Sequence, residues 1–281
     1  NLSNDGHIPI TLPGTFSLFL PMEIETVELS EGIVMEVEGV IEGNQQWIDS
    51  YVYRVTDDIV LSAGDTLIIN PGVEIQFMGN YDFLALGILQ ANGTPEDSIR
   101  FTSGMPNKQR GDWGTLYIYG GENSYLTYSV IEWGGGQVNN NNQTQISLGS
   151  NADLYYSSVR HGNSKGVVME NNTNIIGCDI FYNSGEGIHM DGESLQILEN
   201  NIHHNSGSGI WITSSGNIEN NNIYGNMNHQ ITGCCIYPGW SQGSVNIIGN
   251  DIYNEPIGGS NSPCISLQSI YIPLNISDNN I

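Results

Sequence analysis

Lysine and arginine supply only six of the 281 residues, against 30 aspartates and glutamates, so the formal net charge is −24. A surface so short of cations repels phosphate backbones and anionic headgroups, which argues against nucleic-acid and membrane-surface partners. Acidic polysaccharide is repelled too unless cations intervene. No run of 18 apolar residues occurs, so no membrane insertion is expected. No basic segment precedes the short apolar stretch Phe16–Leu20, so no intact export signal is visible, and Asn1 in place of Met implies processing or trimming. The four cysteines (Cys178, Cys234, Cys235, Cys264) lack zinc spacing. Adjacent Cys234 and Cys235 should point to opposite faces of a strand. Buried thiols and a bridge from one of them to Cys264 both stay open.

Good helix formers are scarce, whereas Gly (35 residues), Asn, Ile and Val are abundant, a composition for strands and tight turns. One short pattern recurs: Ile175–Ile180, Ile197–Ile202, Ile218–Ile223, Ile247–Ile252 and Ile276–Ile281. Each has Asn (once Cys178) three places after its first residue and Ile five places after it. A second strand follows, announced by Gly, with starts at Val167, Ile188, Ile210 and Cys234, spaced by 21, 22 and 24 residues. Wider-spaced starts fall at Ile59, Gly87, Leu116 and Ile146 upstream, and at Ile265 downstream. Self-similarity of this kind means one unit stacked on copies of itself. A coil of 21 or 22 residues is too short for a helix-containing repeat but holds three short strands and three turns. We therefore read the chain as all-β, a parallel β-helix solenoid of about nine coils. Alternation turns Ile188, Met190, Ile210 and Ile212 inward and His189 and Trp211 outward. Asn200, Asn221, Asn250 and Asn279 should stack as an inward ladder, with Asn183, Asn205 and Asn226 as a second.

Residues 1–45 read as an N-terminal β cap: Ile8–Met22 is apolar and Pro-punctuated, and Glu23–Glu42 alternates acids with Val, Ile and Met. A solenoid's first coil exposes an apolar cross-section that such a segment would cover. Residues 46–281 form the solenoid. Ile281 falls mid-coil, so the expectation is either a continuing chain or an end that meets another subunit.

The stretches Asp58–Phe77 (DIVLSAGDTLIINPGVEIQF), Leu86–Thr94, Ile99–Ser103 and Asp112-Trp-Gly resemble the entry coils of secreted bacterial and archaeal right-handed β-helix proteins. Asn221–Asn226 and Asn205–Ile212 are similar to repeats of the pectin-lyase-like superfamily, in its subgroup of carbohydrate-binding proteins and sugar hydrolases. The resemblance spans residues 50–281. It implies a right-handed solenoid and an exported protein acting outside the cell or at its surface, often on polysaccharide. It names no activity, since one scaffold hosts many.

Polygalacturonase-like hydrolases of this superfamily carry paired Asp residues and a Gly-His-Gly segment. Arg160-His161-Gly162 is the nearest echo and lacks the Asp partners. Pectate-lyase-like enzymes use Ca²⁺ and a basic side chain, and epimerase-like ones an Asp-Pro-His-Glu run that is absent here. Arg160, His161 and Lys165 form the one basic cluster and the only catalytic candidates, set against a plain reading as surface charge. No cofactor is expected. Weak Ca²⁺ binding at Asp57-Asp58 or Asp191-Gly-Glu193 is the sole metal chemistry left open, against simple solvation.

Aromatics give the sharper outward signal. Phe181, His203, Tyr224 and Tyr253 share one coil position, with Tyr182 and His204 beside them; His189 and Trp211 share another. Rings repeating every ~4.8 Å suit sugar faces, and Asp191 and Thr213 lie near enough to bond hydroxyls. Stacking that merely stabilises the sheet is the competing reading. The candidate glycan contacts are thus Tyr182, His189, Asp191, His204, Trp211, Thr213 and Tyr224. The expectation is a non-enzymatic surface, adhesion or assembly module, binding extracellular polysaccharide or associating end to end. The alternative is a polysaccharide lyase or glycoside hydrolase centred on Arg160 and His161.

Overall fold

The computed structural model describes residues 7–12, 16–21, 33–136, 143–236, 243–254 and 264–281. The chain divides into two units, Asn1–Ile33 and Val34–Ile281. In the first, His7–Leu12 and Phe16–Pro21 pair as an antiparallel hairpin. The remainder of the segment expected to cap the solenoid up to residue 32 lies outside the described residues. The strand Ile33–Ile41 carries the acid-alternating segment and is exposed along nearly its whole length, with only Ile41 buried. One wet face was expected, but only half-buried Val37 and buried Ile41 reach the core.

The second unit is a parallel β-helix. Each turn visits three walls in order, as Asn174–Ile176, Asp179–Phe181 and Ile188–Met190 do in one coil. The first wall is a ten-stranded sheet from Gln45–Trp47 to Leu274–Ser277. The second and third walls share an 18-stranded sheet, because the long strand Tyr51–Leu61 contributes to both. The strands have the in–out alternation that period 2 requires: Ile188, Met190, Ile210 and Ile212 are fully buried, while His189 and Trp211 between them face outward. Each buried Ile is worth roughly 1.5–3 kcal/mol, and the apolar column runs from Ile41 to Ile272 as one continuous core.

Third-wall register corrects two coil starts. Ile59, Phe83, Leu116, Ile146, Val167, Ile188, Ile210, Ile231 and Ile265 occupy one column. Phe83 therefore stands where Gly87 was expected, and Ile231 where Cys234 was. Gly87 serves another purpose: a Cβ there would sit 2.4 Å from the carbonyl oxygens of both Ser62 and Asp65, so only glycine allows that approach.

The corners explain the asparagines. The residue before each ladder position is left-handed: Gly177, Glu199, Asn220, Gly249 and Asp278 have φ between 57° and 66°. For a side-chain-bearing residue this costs roughly 1 kcal/mol or more. The following side chain turns inward and offsets the cost with bonds along the axis. Asn200 donates its backbone N–H and its amide to Asn221 Oδ1 (2.9 and 3.0 Å) and its other amide proton to the Ile175 carbonyl. Asn221 does the same to Asn250, and Asn250 to Asn279. The row continues upstream through smaller acceptors: the backbone N–H of Ser129 reaches Ser157 Oγ, that of Ser157 reaches Cys178 Sγ, and that of Cys178 reaches Asn200 Oδ1. Burial pushes the Cys178 thiol up to about 12, so it remains protonated. A parallel row at the next corner links Asn183, Asn205 and Asn226.

Candidate functional site

The second wall presents one outward column of changing chemistry. Glu132, Arg160, Phe181, His203, Tyr224 and Tyr253 are successive register partners. The aromatic part is a true stack: Phe181–His203, His203–Tyr224 and Tyr224–Tyr253 have centroids 4.9, 4.9 and 5.0 Å apart and planes within 8°. Beside it a second row, Trp133, His161, Tyr182 and His204, occupies left-handed corners with φ of 69°, 57°, 54° and 54°. His161 stacks 4.7 Å from Trp133 and 5.7 Å from Tyr182. His203 contacts Asp179 Oδ1 through Nε2 (3.0 Å) and His204 Nδ1 through Nδ1 (2.8 Å), so one imidazole of the pair donates and the other accepts. Rings stacked in this way cover one another's faces, so the inner members offer a ligand mainly their edges.

Arg160 and Lys165 of the basic cluster lie on different strands, Ser158–Arg160 and Lys165–Met169. Arg160 is committed to Glu132, with Nε and Nη2 at 2.9 and 2.8 Å from Oε2. Arg100 binds the other oxygen, which also accepts from the Thr102 hydroxyl. Burial works against the Glu132 charge, but the Arg160 hydrogen bond and both guanidinium charges outweigh it and hold the carboxyl below its ordinary range. Burial and the charges of Arg160 and Arg110 lower His161, so its ring is neutral near pH 7. Gly162 is small for a packing reason: a Cβ there would meet Gln145 Cγ at 2.5 Å. Lys165 lies on a different wall, opening the strand Lys165–Met169, and its charge acts on His189.

The glycan candidates fall into two groups. Tyr182, His204 and Tyr224 belong to the second-wall stacks; His189, Asp191, Trp211 and Thr213 lie on the third wall. There the His189 and Trp211 rings are parallel within 3° with centroids 6.4 Å apart, a wider spacing than in the second-wall stack. Trp211 stands between two concavities. One, of about 470 Å³, is lined by Asn171, Asp191, Glu193, Thr213, Ser214 and Cys234 beside the indole. The other, of about 350 Å³, has Ser208, Asn228, Thr232, Ser266 and Gln268 in its lining. Cys234 and Trp211 border both. Burial, then the Asp191 charge, raises the Glu170 carboxyl, which marks crowded negative charge at this edge. A further concavity of about 390 Å³ lies upstream on this wall, floored by Val60, Leu84 and Tyr117 and flanked by Asp58 and Asp82.

Sequence reasoning missed Glu132, Gln145 and the upstream concavity. None has a local motif, and each is assembled by register across coils of unequal length. Among the described residues, no group of three or more His, Cys, Asp or Glu is placed to hold a metal ion. Asp57 and Asp58 accept backbone N–H bonds from Asp58 and Asp82.

The family model for a right-handed beta helix region matches residues 107–261, and that for a pectate-lyase-like beta helix domain matches residues 39–142. No curated protein matches the chain. Among solved structures it is similar to the A-module of a mannuronan C-5 epimerase of Azotobacter vinelandii, at 12% identity over 89% of this chain and 78% of that one, with a TM-score of 0.49. It is also similar to a periplasmic alginate epimerase, at 12% identity over 87% and 80% of the two chains, with a TM-score of 0.43. At that identity the likeness is one of fold.

Proposed function

The chain belongs to the right-handed β-helix family, and from that premise we propose that it is an exported surface or adhesion module that holds a polysaccharide against its third wall. One observation carries the reading: Trp211 stands between two adjoining concavities whose linings are rich in hydroxyl, amide and carboxylate groups. An indole that borders a concavity takes the apolar side of a pyranose, and the surrounding polar groups take its hydroxyls. The second-wall aromatics fit a stabilising role better, because their faces are spent on one another. The lyase or hydrolase reading is weaker, since it needs Arg160 free to move a proton while the side chain is held by a buried carboxylate.

A panel of neutral, acidic and amino polysaccharides, immobilised and probed with the protein, tests the proposal. Trp211→Ala should lower retention at least about tenfold, a loss on the order of 1.4 kcal/mol, while Tyr224→Ala retains it. Absence of binding to every polymer, or release of unsaturated or reducing ends, would overturn it.

A further inference from the structure

The upstream concavity of the third wall shares no lining residue with the two that flank Trp211. We infer that it binds a small organic cation, whose apolar or aromatic body lies on Val60, Leu84 and Tyr117 and whose ammonium sits between Asp58 and Asp82. Val60, Leu84 and Tyr117 are register partners on three successive coils. All three face outward and are half-buried. They make an apolar floor under a hollow of about 390 Å³, room for one ring-sized ligand. Tyr119 adds a side wall, its ring 5.7 Å from that of Tyr117 and tilted by 43°. That ring is fixed before any ligand arrives. It lies over Gly149, where a Cβ would collide with it, and its hydroxyl meets Ser147 Oγ at 3.2 Å.

The rim sets the charge of the occupant. Asp58 and Asp82 hold equivalent places one coil apart, since Ile59 pairs with Phe83. Each spends one oxygen on the next coil: Asp58 Oδ1 accepts the Asp82 N–H at 2.8 Å, and Asp82 Oδ1 the Thr115 N–H at 2.7 Å. In the downstream rows asparagine does the same work, and its amide also donates to a carbonyl. Aspartate has no such proton to give, so the second oxygen of each carboxylate takes no bond among the described residues. Burial, and then the Asp58 charge against the Thr115 bond, raises the Asp82 carboxyl. An amide would spare the fold that cost. No Lys, Arg or His lines the hollow. A bare metal ion would leave the apolar floor unused, and an anion would be repelled. An ammonium on an apolar or aromatic body uses floor and rim together, and the tyrosine rings favour it further.

Titration calorimetry on the whole chain at low salt, with 2-phenylethylammonium, 2-phenylethanol, methylammonium and Ca²⁺ as probes, tests the inference. The phenylethylammonium ion should bind at least about tenfold tighter than the neutral alcohol, which lacks the charge, and than methylammonium, which lacks the ring. Asp58→Asn with Asp82→Asn keeps both Oδ1 acceptors and should abolish the preference for the amine over the alcohol. Leu84→Ser should weaken both ring-bearing probes; circular dichroism verifies the fold of each variant. Equal binding of amine and alcohol overturns the cation assignment, as does a preference untouched by the double substitution. Methylammonium binding as tightly as the larger amine, or Ca²⁺ expelling it, reduces the site to a pair of acids and overturns the role of the floor. Loss of the amine in Trp211→Ala places it in the other groove and overturns the location. If no probe binds, the inference fails, while polysaccharide retention at Trp211 is judged separately.

Discussion

Gln145 donates its side-chain amide to Asn183 Oδ1 at 2.7 Å while its stem fills the space beside Gly162. Gly162 is the register equivalent of Asn183 one coil earlier, since Arg160 pairs with Phe181. A residue from the third wall thus supplies the amide that a corner residue supplies in the following coils. Gln145 also accepts from the Gly134 N–H and donates to the Arg160 carbonyl. Gln230 closes the other end of the row, accepting from the Asn226 amide at 2.8 Å.

This arrangement predicts a compensating pair. Gly162→Asn should destabilise the fold by about 1–3 kcal/mol through overpacking, and Gln145→Ala by about 1–3 kcal/mol through orphaned buried groups. Combined, they should couple favourably by about 1 kcal/mol or more, because the new asparagine takes over the vacated bonds. Denaturation of all four proteins gives the coupling term, and strict additivity would refute the substitution of roles.

Interior and terminal ladder positions should differ. Asn221→Ala strands the Asn200 N–H and the Ile197 carbonyl in a buried setting and should cost about 2–4 kcal/mol. Asn279→Ala, at a half-exposed position, should cost under about half of that. Thermal midpoints measured side by side decide the matter.

His203 serves the outer stack. His203→Ala removes two parallel ring stacks and should cost about 1–3 kcal/mol; His203→Phe keeps both stacks, loses the hydrogen bonds to Asp179 and His204, and should cost less. Polysaccharide retention should persist in both variants, which separates this column from the Trp211 groove.

Acid stability should depend on Glu132. Its carboxyl sits below the ordinary 4.5 in the fold, so its stabilisation is complete above the unfolded value and is lost as pH falls through the lower folded one. Glu132→Gln should be less stable than the parent near neutrality, and the two should converge in acid. Burial raises Asp82 and Glu170 in the fold, so their protonation favours it and acts oppositely. Subtracting variant from parent stability across a pH series isolates the Glu132 share.

The parent should leave every uronic-acid and neutral polymer uncut, and Arg160→Ala and His161→Ala should change nothing. Product formation by the parent that either substitution abolishes would restore the enzyme reading.

Much of the fold was legible in the chain because Ile and Asn recur at a spacing that only stacked coils can use. The two misplaced coil starts show where that legibility stops. Glycine marked the third-wall strand in several coils, but Gly87 answers to a close backbone approach at another corner, and Gly233 lies inside Ile231–Ile236, where a Cβ would press on Leu267. The site was harder to read. Glu132 is 32 residues from Arg100 and 28 from Arg160, and no local pattern announces a contact that depends on coil length. Sorting the aromatics into a close stack and a more widely spaced pair likewise needed ring distances.

Along the Asn200–Asn279 row Asn200, Asn221 and Asn250 each donate forward to the next Oδ1 and back to a backbone carbonyl. A rung with the same bonds above and below is interchangeable with its neighbours. Whole turns of 21 or 22 residues, bounded at successive left-handed corners such as Glu199 and Asn220, should therefore be removable or duplicable without rewriting what remains. The protein's length is in that sense an adjustable quantity, open to tandem duplication in evolution and to cassette engineering at the bench.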